Sequence, residues 1–276
     1  IIDLSPEGRQ PMHSHSQRYV TIFNGEIYNF RELHHELSAR GARFRGHSDT
    51  EDMLAAIDAW GLEETLRRAN GMFALALWDR DERVLHLARD RIGKKPLYYG
   101  WAGDILLFGS ELKALLAHSQ FDPQVDEHSL ALFLRYNYVP APWSMLRGVF
   151  KLYPGAILSL RKQDVARGPS AHSPERACRR YWDAQQVVSS ALSNPLTSSV
   201  TETVQQLDTL LRDAVALRMY ADVPLGAFLS GGTDSSTTVA LMQAQANRPV
   251  QTFSIGFHDP RHDEAREARA VATHLG

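Results

Sequence analysis

Residues 223–236 read VPLGAFLSGGTDSS, and this stretch decides the fold of the second half of the chain. An apolar run typical of a strand leads into two glycines, and a helix-compatible segment follows. Adjacent glycines allow backbone conformations closed to other residues, so successive N–H groups can converge on a ligand at the positive end of the next helix. The stretch therefore predicts an anion-binding loop, to which Ser230, Ser235 and Ser236 add hydroxyl donors.

The loop differs from a Walker A motif, which ends in Gly-Lys followed by Ser or Thr. No lysine follows Lys162 in this chain. An ordinary strand-to-helix turn with a good N-cap is the alternative interpretation, because turns rich in Gly and Ser are common. The strand before the loop and the helix after it supply the context of a phosphate site and favour that interpretation.

The segments around the loop predict a parallel sheet. Helical spacing begins at Thr203, a helix is expected over residues 234–246, and a strand over 252–257 precedes a helix over 263–275. Such a βαβα order is typical of parallel strands with right-handed crossovers. Ligands of these sheets bind at the carboxyl ends of the strands, which is where the glycine loop lies.

The first 160 residues predict antiparallel strands with helices. A strand over residues 19–23 ends at Asn24-Gly25, a helix capped by Asn29 presents Phe30, Leu33 and Leu37 on one face, and Asp49 or Thr50 caps a second helix up to Trp60. Three apolar runs with polar or glycine-containing separators favour an antiparallel arrangement: residues 72–78, 84–88 and 105–108. Further helix pieces are expected over 112–116 and 130–136, and a last strand over 158–160.

Composition limits the class of protein. The chain has 276 residues, 43% of them hydrophobic, and a formal net charge of -2, which gives no argument for a nucleic-acid partner. No apolar run approaches the ~20 residues that span a bilayer, and no signal-peptide pattern is present. The single cysteine, Cys178, excludes an intrachain disulfide. These features predict a cytoplasmic protein with no membrane partner.

A change of composition predicts the domain boundary. Residues 162–180 are basic and polar, and residues 189–199 are dominated by Ser, Asn and Thr, as in linkers or surface insertions. We expect a first domain over residues 1–184, a linker over 185–202 and a second domain over 203–276.

Strings along the whole chain resemble the glutamine-dependent asparagine synthetase (asparagine synthase B-type) family. In chain order they are IIDLSPEGRQPM (1–12), FNGEIYN (23–29), SDTE (48–51), GMFALALWD (71–79), RDRIGKKPLYY (89–99), FGSELKALL (108–116), VPLGAFLSGGTDSS (223–236), TFSIGF (252–257) and DEAREARAVATHLG (263–276). The resemblance implies an α+β Ntn-hydrolase-type glutaminase domain of stacked antiparallel sheets with helices. The start of an α/β parallel-sheet ATP pyrophosphatase domain would follow it.

For the first domain, the resemblance implies a glutamine site. The side-chain amide of Asn24 and the backbone N–H of Gly25 would form an oxyanion hole, and Glu26 and Asp49 would hold the α-amino group of glutamine. Simpler interpretations exist for the same residues, since Asn-Gly is a strong hairpin signal and Asp49 is a good helix cap. The strings RDRIGKKPLYY and FGSELKALL match the part of the family that shapes the route for ammonia, with core packing the favoured alternative.

For the second domain, the resemblance implies an ATP site. Leu229 and Ile255 would contact the adenosine, and Mg²⁺ would ride on the phosphates. Asp234 would touch the metal through water, or would be only a helix residue favoured by the dipole. The residues that would take the pyrophosphate are Ser230, Gly231, Gly232, Asp234, Ser235 and Ser236. The implied reaction converts aspartate to asparagine through aspartyl-AMP, with ammonia from glutamine.

Three departures from the family pattern qualify the expected activity. Position 1 is Ile where the family has its processed N-terminal Cys, the glutamine-binding arginine expected just upstream is absent, and Thr233 replaces an apolar residue. Cys178 cannot substitute, because Ntn chemistry uses the nucleophile's own α-amino group as base. We expect a fragment lacking both termini, unable to hydrolyse glutamine by itself, whose acceptor pocket lies beyond Gly276.

Other functions stay open at this point. A related ligase that acts on another carboxylate, such as a β-lactam synthetase or an enzyme modifying a sugar or peptide, would keep the same loop. A non-catalytic glutamine or nucleotide sensor is a third class, and a homodimer is also open. The pairs His13 and His15, His34 and His35, and His258 and His262 lack convincing metal-ligand spacing, so no metal site in the protein is expected.

Overall fold

The computed structural model describes residues 2–168, 177–259, 261 and 263–276. Residues 169–176, which belong to the predicted polar segment, lie outside the described residues. The described chain divides into two units, Ile2–Asn194 and Pro195–Gly276, and each is treated separately below.

The first unit is built of short strands and helices. A 3-10 turn at Pro6–Gly8 precedes the first strand. The strands are β1 (Met12–His13), β2 (Tyr19–Ile27), β3 (Gly71–Asp79), β4 (Val84–Arg89), β5 (Tyr98–Ala102), β6 (Ile105–Gly109), β7 (Val149–Lys151), β8 (Ala156–Arg161) and β9 (Cys178–Arg180). The helices are α1 (Phe30–Ala39), α2 (Asp49–Trp60), α3 (Leu62–Arg68), α4 (Leu112–Leu116), α5 (Glu127–Tyr136), α6 (Lys162–Ala166) and α7 (Ala184–Ser193).

Two antiparallel sheets pack face to face in this unit. The larger has the order β1-β2-β3-β4-β8-β9, and the smaller has the order β6-β5-β7. One apolar cluster joins them, in which Leu87 and Leu158 of the larger sheet pack with Tyr99 of the smaller one. Helix α2 contacts β2 of the larger sheet, and α1 contacts α2 through a buried face. The predicted class, stacked antiparallel sheets with helices, is confirmed.

Strand β2 is longer than its sequence predicts. It continues through Asn24-Gly25 to Ile27 and pairs with β3 along its whole length, so the dipeptide lies inside a strand and makes no hairpin. At Gly25 an added Cβ would lie 2.2 Å from the carbonyl oxygen of Met72. Glycine is therefore needed for the approach of the two strands, and this explains a turn-type residue in a ladder.

The smaller sheet was largely missed by periodicity. Only β6 was predicted, whereas its central strand β5 lies in the aromatic and glycine-containing run YYGWA and has no alternation of apolar and polar residues. Tyr99 and Trp101 lie on one face of β5, and Gly100 and Ala102 lie on the other. All four residues are buried. A strand buried on both faces gives no period-two pattern, and this is the physical reason for the omission.

The second unit contains α8 (Val200–Arg218), β10 (Gly226–Phe228), α9 (Thr233–Gln245), β11 (Gln251–Phe253) and α10 (Ala265–Leu275). Strands β10 and β11 are parallel, with Ala227 opposite Thr252, as the βαβα pattern predicts. Leu229, Val239 and Ala268 form a small buried cluster. Strand β11 ends at Phe253 rather than at residue 257, so Ile255 lies in the segment that follows it.

The residues between the two predicted domains carry defined elements. Residues 185–202, expected as a linker, include most of α7 and the start of α8. Cys178 begins β9, which pairs with β8 at the edge of the larger sheet, and does not lie in a linker. No helix in the described part of the chain is long and apolar enough to cross a bilayer.

Truncation of Leu87 should destabilise the first unit. Leu87 is 0% exposed between the two sheets, so Leu87→Ala leaves a cavity that costs about 2–5 kcal/mol of unfolding free energy. Leu134→Ala is the matched control, since Leu134 on α5 is 74% exposed and its change should stay within about 0.5 kcal/mol. Urea unfolding followed by tryptophan fluorescence measures both, and equal losses for the two variants would contradict the inter-sheet core.

Candidate functional site

A cavity of about 240 Å³ lies between the two sheets of the first unit. Its floor is formed by β2 and β3, where Ile22 pairs with Ala76 and Asn24 pairs with Ala74. The short alanine side chains leave space that larger residues would fill. Phe108 and Ser110, at the end of β6 and just after it, line the opposite side.

Asn24 points its amide across this cavity. Its Nδ2 donates a hydrogen bond of 2.9 Å to Ser110 Oγ. Alternation along β2 places Glu26 on the same face as Asn24, and both side chains are at least partly accessible. Strand β2 therefore presents an amide donor and a carboxylate side by side, next to an open cavity.

Asp49 is brought to the end of β2 by helix α2. Ser48, rather than Asp49 or Thr50, is the N-cap of α2, because its hydroxyl accepts the Thr50 N–H at 3.2 Å. The Asp49 carboxylate is thus released from capping and accepts the Ile27 N–H at 2.8 Å. The polypeptide places Asp49 beside Glu26 through this bond.

The electrostatics of Asp49 favour a cationic ligand. Asp49 is 5% exposed, and its burial raises the pKa of the carboxyl to about 6, with the Glu26 charge adding to the shift and the Ile27 and Thr50 N–H groups opposing it. Two neighbouring carboxylates repel each other, and an ammonium group between them would stabilise both. The pair Glu26 and Asp49 has the charge that an α-amino group requires.

One turn along α2, Asp52 fastens the helix to α1. Its Oδ1 lies 2.8 Å from His34 Nδ1, and His34 stacks on Phe44 with ring centroids 4.0 Å apart. Burial raises the pKa of Asp52 to about 7, although the hydrogen bond to His34 opposes the shift. This pair supports the helix that carries Asp49. The contacts of His34 with Asp52 and Phe44 give it a structural role.

In the second unit, the glycine loop connects the end of β10 to the start of α9. Gly231 has φ +82°, and an added Cβ would lie 2.6 Å from Glu267 Cβ and 2.7 Å from the Ala268 nitrogen. Only glycine permits this turn directly against the first turn of α10. The hydroxyl oxygens of Ser230 and Ser235 are 2.9 Å apart, and the hydrogen bond between them stabilises the loop.

The loop has the donors of an anion site. Gly232 is the N-cap of α9 and has no side chain that could accept a hydrogen bond. The first backbone N–H groups of this helix therefore face the loop without a capping side chain. Ser236 Oγ is buried and has no hydrogen-bond partner among the described residues. The uncapped helix start fits an anionic ligand. Ser236 lies in the first turn of the same helix and also lines a separate cavity with Ala240 of α9 and Val271 of α10.

A second cavity, of about 320 Å³, adjoins the loop. It is lined by Leu229, Ser230 and Ser235 on one side and by Ile255 and Phe257 on the other. It opens at the carboxyl ends of the parallel strands, as the sequence predicts for a ligand of this sheet. The two strand ends are tied together by Ser254 Oγ, which donates to the Leu229 carbonyl oxygen at 2.6 Å.

The predicted site residues thus form two separate groups. Asn24, Gly25, Glu26 and Asp49 come together in the first unit. The predicted ATP residues line one loop and one cavity in the second: Leu229, Ser230, Gly231, Gly232, Asp234, Ser235, Ser236 and Ile255. Thr233 is exposed at the first helical position of α9, where a change from an apolar residue removes no buried contact.

Cys178 belongs to neither group. Strand β9 is four positions from β2 in the larger sheet, which separates Cys178 from Asn24 by about 19 Å at the usual strand spacing. No cluster of three or more His, Cys, Asp or Glu side chains suited to a metal occurs in the described part of the chain. His262, of the pair with His258, lies outside the described residues.

Two residues near the first site were not predicted as part of it. Ser110 contacts the Asn24 amide, and Gln10 Oε1 accepts the Phe23 N–H at 2.6 Å. Both reach β2 from segments distant in sequence, 86 and 13 residues away. Their only sequence signal was membership of the strings FGSELKALL and IIDLSPEGRQPM, which carry no spacing that would assign a role.

Comparison with known proteins places the chain in a family. Residues 1–174 match the family described as glutamine amidotransferase domain, and residues 206–276 match the family described as asparagine synthase. The chain therefore belongs to the glutamine amidotransferase family, and its second unit matches the asparagine synthase family.

Curated relatives cover the whole chain. Asparagine synthetase [glutamine-hydrolyzing] 1 of Bacillus subtilis is 34% identical over 100% of this chain and 40% of its own length. A putative asparagine synthetase [glutamine-hydrolyzing] of Mycobacterium bovis is 36% identical over 100% of this chain and 41% of its own length. Amidase chyE of Penicillium rubens is 32% identical, again over 100% of this chain and 40% of its own length. The two asparagine synthetase matches confirm the resemblance to glutamine-dependent asparagine synthetases, and the chain spans about 40% of the length of these relatives.

Replacing Asp49 should change the pH dependence of stability. Because the folded pKa of about 6 lies above the ordinary aspartate pKa of 3.8, ionisation of Asp49 opposes folding as the pH rises through this window. Asp49→Asn keeps an acceptor for the Ile27 N–H and removes that cost. The variant should match the native chain near pH 4 and exceed its unfolding free energy by about 1–3 kcal/mol at pH 7.

Urea unfolding at pH 4, 5, 6 and 7 measures this difference. Asp81→Asn serves as the control, since Asp81 is exposed and should show no growing gain between pH 4 and 7. An Asp49→Asn variant whose relative stability is the same at all four pH values would contradict the raised pKa.

Proposed function

We propose that this chain supplies the glutamine site and the ATP loop of a ligase that converts aspartate to asparagine. The observation that supports this most directly is the second-unit loop. It combines a positive-φ glycine with an uncapped helix start at the carboxyl ends of parallel strands, and the partnerless Ser236 hydroxyl lies in the first turn of that helix. The names of the curated relatives supply the reaction class.

ATP would lie across the loop and the adjoining cavity. The pyrophosphate group would accept hydrogen bonds from the first N–H groups of α9 and from Ser230, Ser235 and Ser236. Leu229 and Ile255 both line the 320 Å³ cavity and would contact the adenosine. Mg²⁺ would neutralise the leaving pyrophosphate, with Asp234 reaching it through water from the exposed first turn of α9.

Glutamine would lie in the first unit, with its α-ammonium group between Glu26 and Asp49. Asn24 Nδ2 carries two hydrogens, of which one is donated to Ser110 Oγ. The other, together with the Gly25 N–H, would stabilise the oxyanion that develops on the carboxamide. The nucleophile of that step would be the processed N-terminal cysteine of the family, and Cys178 takes no part, because it is four strands away.

Activation by ATP answers a chemical difficulty. A carboxylate resists attack by ammonia because oxide is not a workable leaving group. Attack of the aspartate β-carboxylate on the α-phosphate breaks the bond to the β-phosphate, releases pyrophosphate and forms aspartyl-AMP. Ammonia then displaces AMP and yields asparagine. Ammonia from glutamine would reach this intermediate unprotonated, whereas in bulk water near pH 7 most of it is ammonium.

A related ligase acting on another carboxylate is the second candidate. The match to an amidase supports this candidate, since the sequence similarity covers the whole chain in a relative with a different printed name. A non-catalytic sensor would bind both ligands without turnover.

Removal of the Ser236 hydroxyl should weaken nucleotide binding at no cost in stability. Ser236→Ala breaks no hydrogen bond within the described chain, so its melting temperature should equal or exceed the native one. If Ser236 donates to a phosphate, the Kd for Mg·ATP should rise about tenfold, as expected for a hydrogen bond to a charged group.

Isothermal titration of the 276-residue chain with Mg·ATP measures the effect. Thr238→Ala is the matched control, because it removes a hydroxyl two residues along the same helix, and that hydroxyl already donates to the Asp234 carbonyl oxygen. Native affinity in Ser236→Ala would contradict the phosphate site.

The acceptor is tested by pyrophosphate release from a protein that contains this chain. Aspartate, glutamate and β-alanine derivatives are compared at equal concentration with ATP, Mg²⁺ and an ammonium salt. We expect release with aspartate at least tenfold above the other acids, since the acyl-adenylate forms only on the cognate carboxylate. Release with another acid alone would favour the related ligase, and binding of ATP without release under any condition would favour the sensor.

A further inference from the structure

A buried carboxylate near the start of the chain has no part in the sites described so far. Asp3 precedes the 3-10 turn and its side chain is 0% exposed. Its backbone has φ +65°, a left-handed conformation that Asp and Asn tolerate better than other side chains. A buried charge at such a position is costly unless it is held by hydrogen bonds.

The Asp3 carboxylate joins two segments. Oδ1 accepts the Ser5 N–H at 2.8 Å, which closes the local turn. Oδ2 accepts the His47 N–H at 3.1 Å, and the His47 ring nitrogen Nδ1 lies 3.6 Å from the same oxygen. The second contact spans 44 residues and reaches the loop immediately before α2.

Carboxylates hold three successive N–H groups of this loop. Glu51, on α2 itself, accepts the Arg45 N–H and the Gly46 N–H, each at 2.9 Å. Asp3 accepts the next N–H, that of His47. Glu51 moves with the helix, so Asp3 fixes the loop from outside the element to which the loop is attached.

Gly46 is shaped to this contact. A Cβ added at Gly46 would lie 2.5 Å from Asp3 Oδ2 and 3.0 Å from Glu7 Cβ. No positive φ is recorded at this glycine, so the backbone there is open to other residues and close approach explains its identity. The loop and the carboxylate are therefore matched to each other.

The loop leads directly to the glutamine site. After His47, Ser48 caps α2 and Asp49 begins it, with Asp49 Oδ2 on the Ile27 N–H at 2.8 Å. A shift of the loop would move Ser48, the N-cap residue, and the position of Ser48 determines the position of the first turn of α2. We propose that Asp3 is a positioning residue for glutamine recognition: through the His47 N–H it holds the loop before α2, and so places the Asp49 carboxylate against the substrate's α-ammonium group.

This inference rests on the proposed glutamine site, and a purely structural role for Asp3 is its competitor. Both roles predict some loss of stability when Asp3 changes. Only positioning predicts a loss of glutamine affinity and a change in the titration of Asp49 while the chain stays folded. The test therefore reads ligand binding and Asp49 in folded variants.

Asp3→Asn is the informative substitution. Asparagine tolerates the positive φ, and its Oδ1 can still accept the Ser5 N–H, but its Nδ2 cannot accept the His47 N–H. The Kd for L-glutamine, measured by NMR titration of the 276-residue chain at 15 °C, should rise about tenfold. Hydrogen exchange of the His47 amide should speed up in parallel.

Asp58→Asn is the matched control. Asp58 also lies on α2, and its carboxylate accepts the Ser16 N–H at 3.3 Å and the Ser16 hydroxyl at 2.5 Å, so it too ties a loop to this helix. It stands near the opposite end of α2 from Asp49. We expect its glutamine Kd to stay within twofold of the native value.

Gly46→Ala perturbs the same contact without changing any charge. The new Cβ should displace the Asp3 carboxylate from the His47 N–H, so this variant should weaken glutamine binding in the same direction as Asp3→Asn. Because both substitutions break one contact, the double variant should be little worse than the more affected single variant. The pKa of Asp49, followed by carboxylate ¹³C shifts, should fall in both as burial loosens.

The outcomes separate the inference from the proposed function. Native-like glutamine affinity and an unchanged Asp49 titration in folded Asp3→Asn and Gly46→Ala overturn the positioning role. Equal losses in Asp58→Asn also overturn it, since they would show a general effect of loosening α2. If neither the native chain nor a longer protein that contains it binds glutamine, the proposed glutamine site fails, and the Asp49 titration in the two variants still decides whether Asp3 positions this carboxylate.

Discussion

The antiparallel pairing of β2 with β3 is the interaction on which the first unit depends. It runs without a break from Tyr19 opposite Asp79 to Ile27 opposite Gly71. The ladder requires a glycine at position 25, where a Cβ would lie 2.2 Å from the Met72 carbonyl oxygen. Because the ladder continues past this point, the side chains on either side of Gly25 stay on one face, toward the smaller sheet.

The same pairing shapes the cavity beside Asn24. Ala74 and Ala76 of β3 have short side chains, so space is left beside Asn24 and Ile22 of β2. Ser110 lines the same cavity from the end of the smaller sheet. Packing between the sheets therefore stabilises the fold and also aims an amide across the space. The side chain of Asn24 is held by a partner 86 residues away, which local preference alone could not supply.

The buried carboxylate of Asp49, at the start of α2, shows how the candidate glutamine site lowers the stability of the fold. Asp49 is buried beside Glu26, and its raised pKa of about 6 shows that the folded chain resists its charge. The N–H groups of Ile27 and Thr50 offset part of the cost, and Ser48 takes over the capping that Asp49 would otherwise perform. Such an arrangement is costly for folding but suits a ligand that brings a positive charge.

Local sequence determined the strongly periodic elements and the glycine loop. The patterns predicted β3, β4, α1 and the β10-loop-α9 unit, because alternation, helical spacing and paired glycines are local signals. The resemblance carried by the residue strings also assigned side chains to each candidate site, and these assignments remain predictions. Only the tertiary structure decided that Asn24-Gly25 lies inside a strand, that Ser48 caps α2 and that YYGWA is a central strand. It also decided that Asp3 contacts the loop before α2 and that Ser110 contacts Asn24. These depend on contacts between residues distant in sequence, and neither propensity nor periodicity records which distant partner will satisfy a backbone N–H or fill a space.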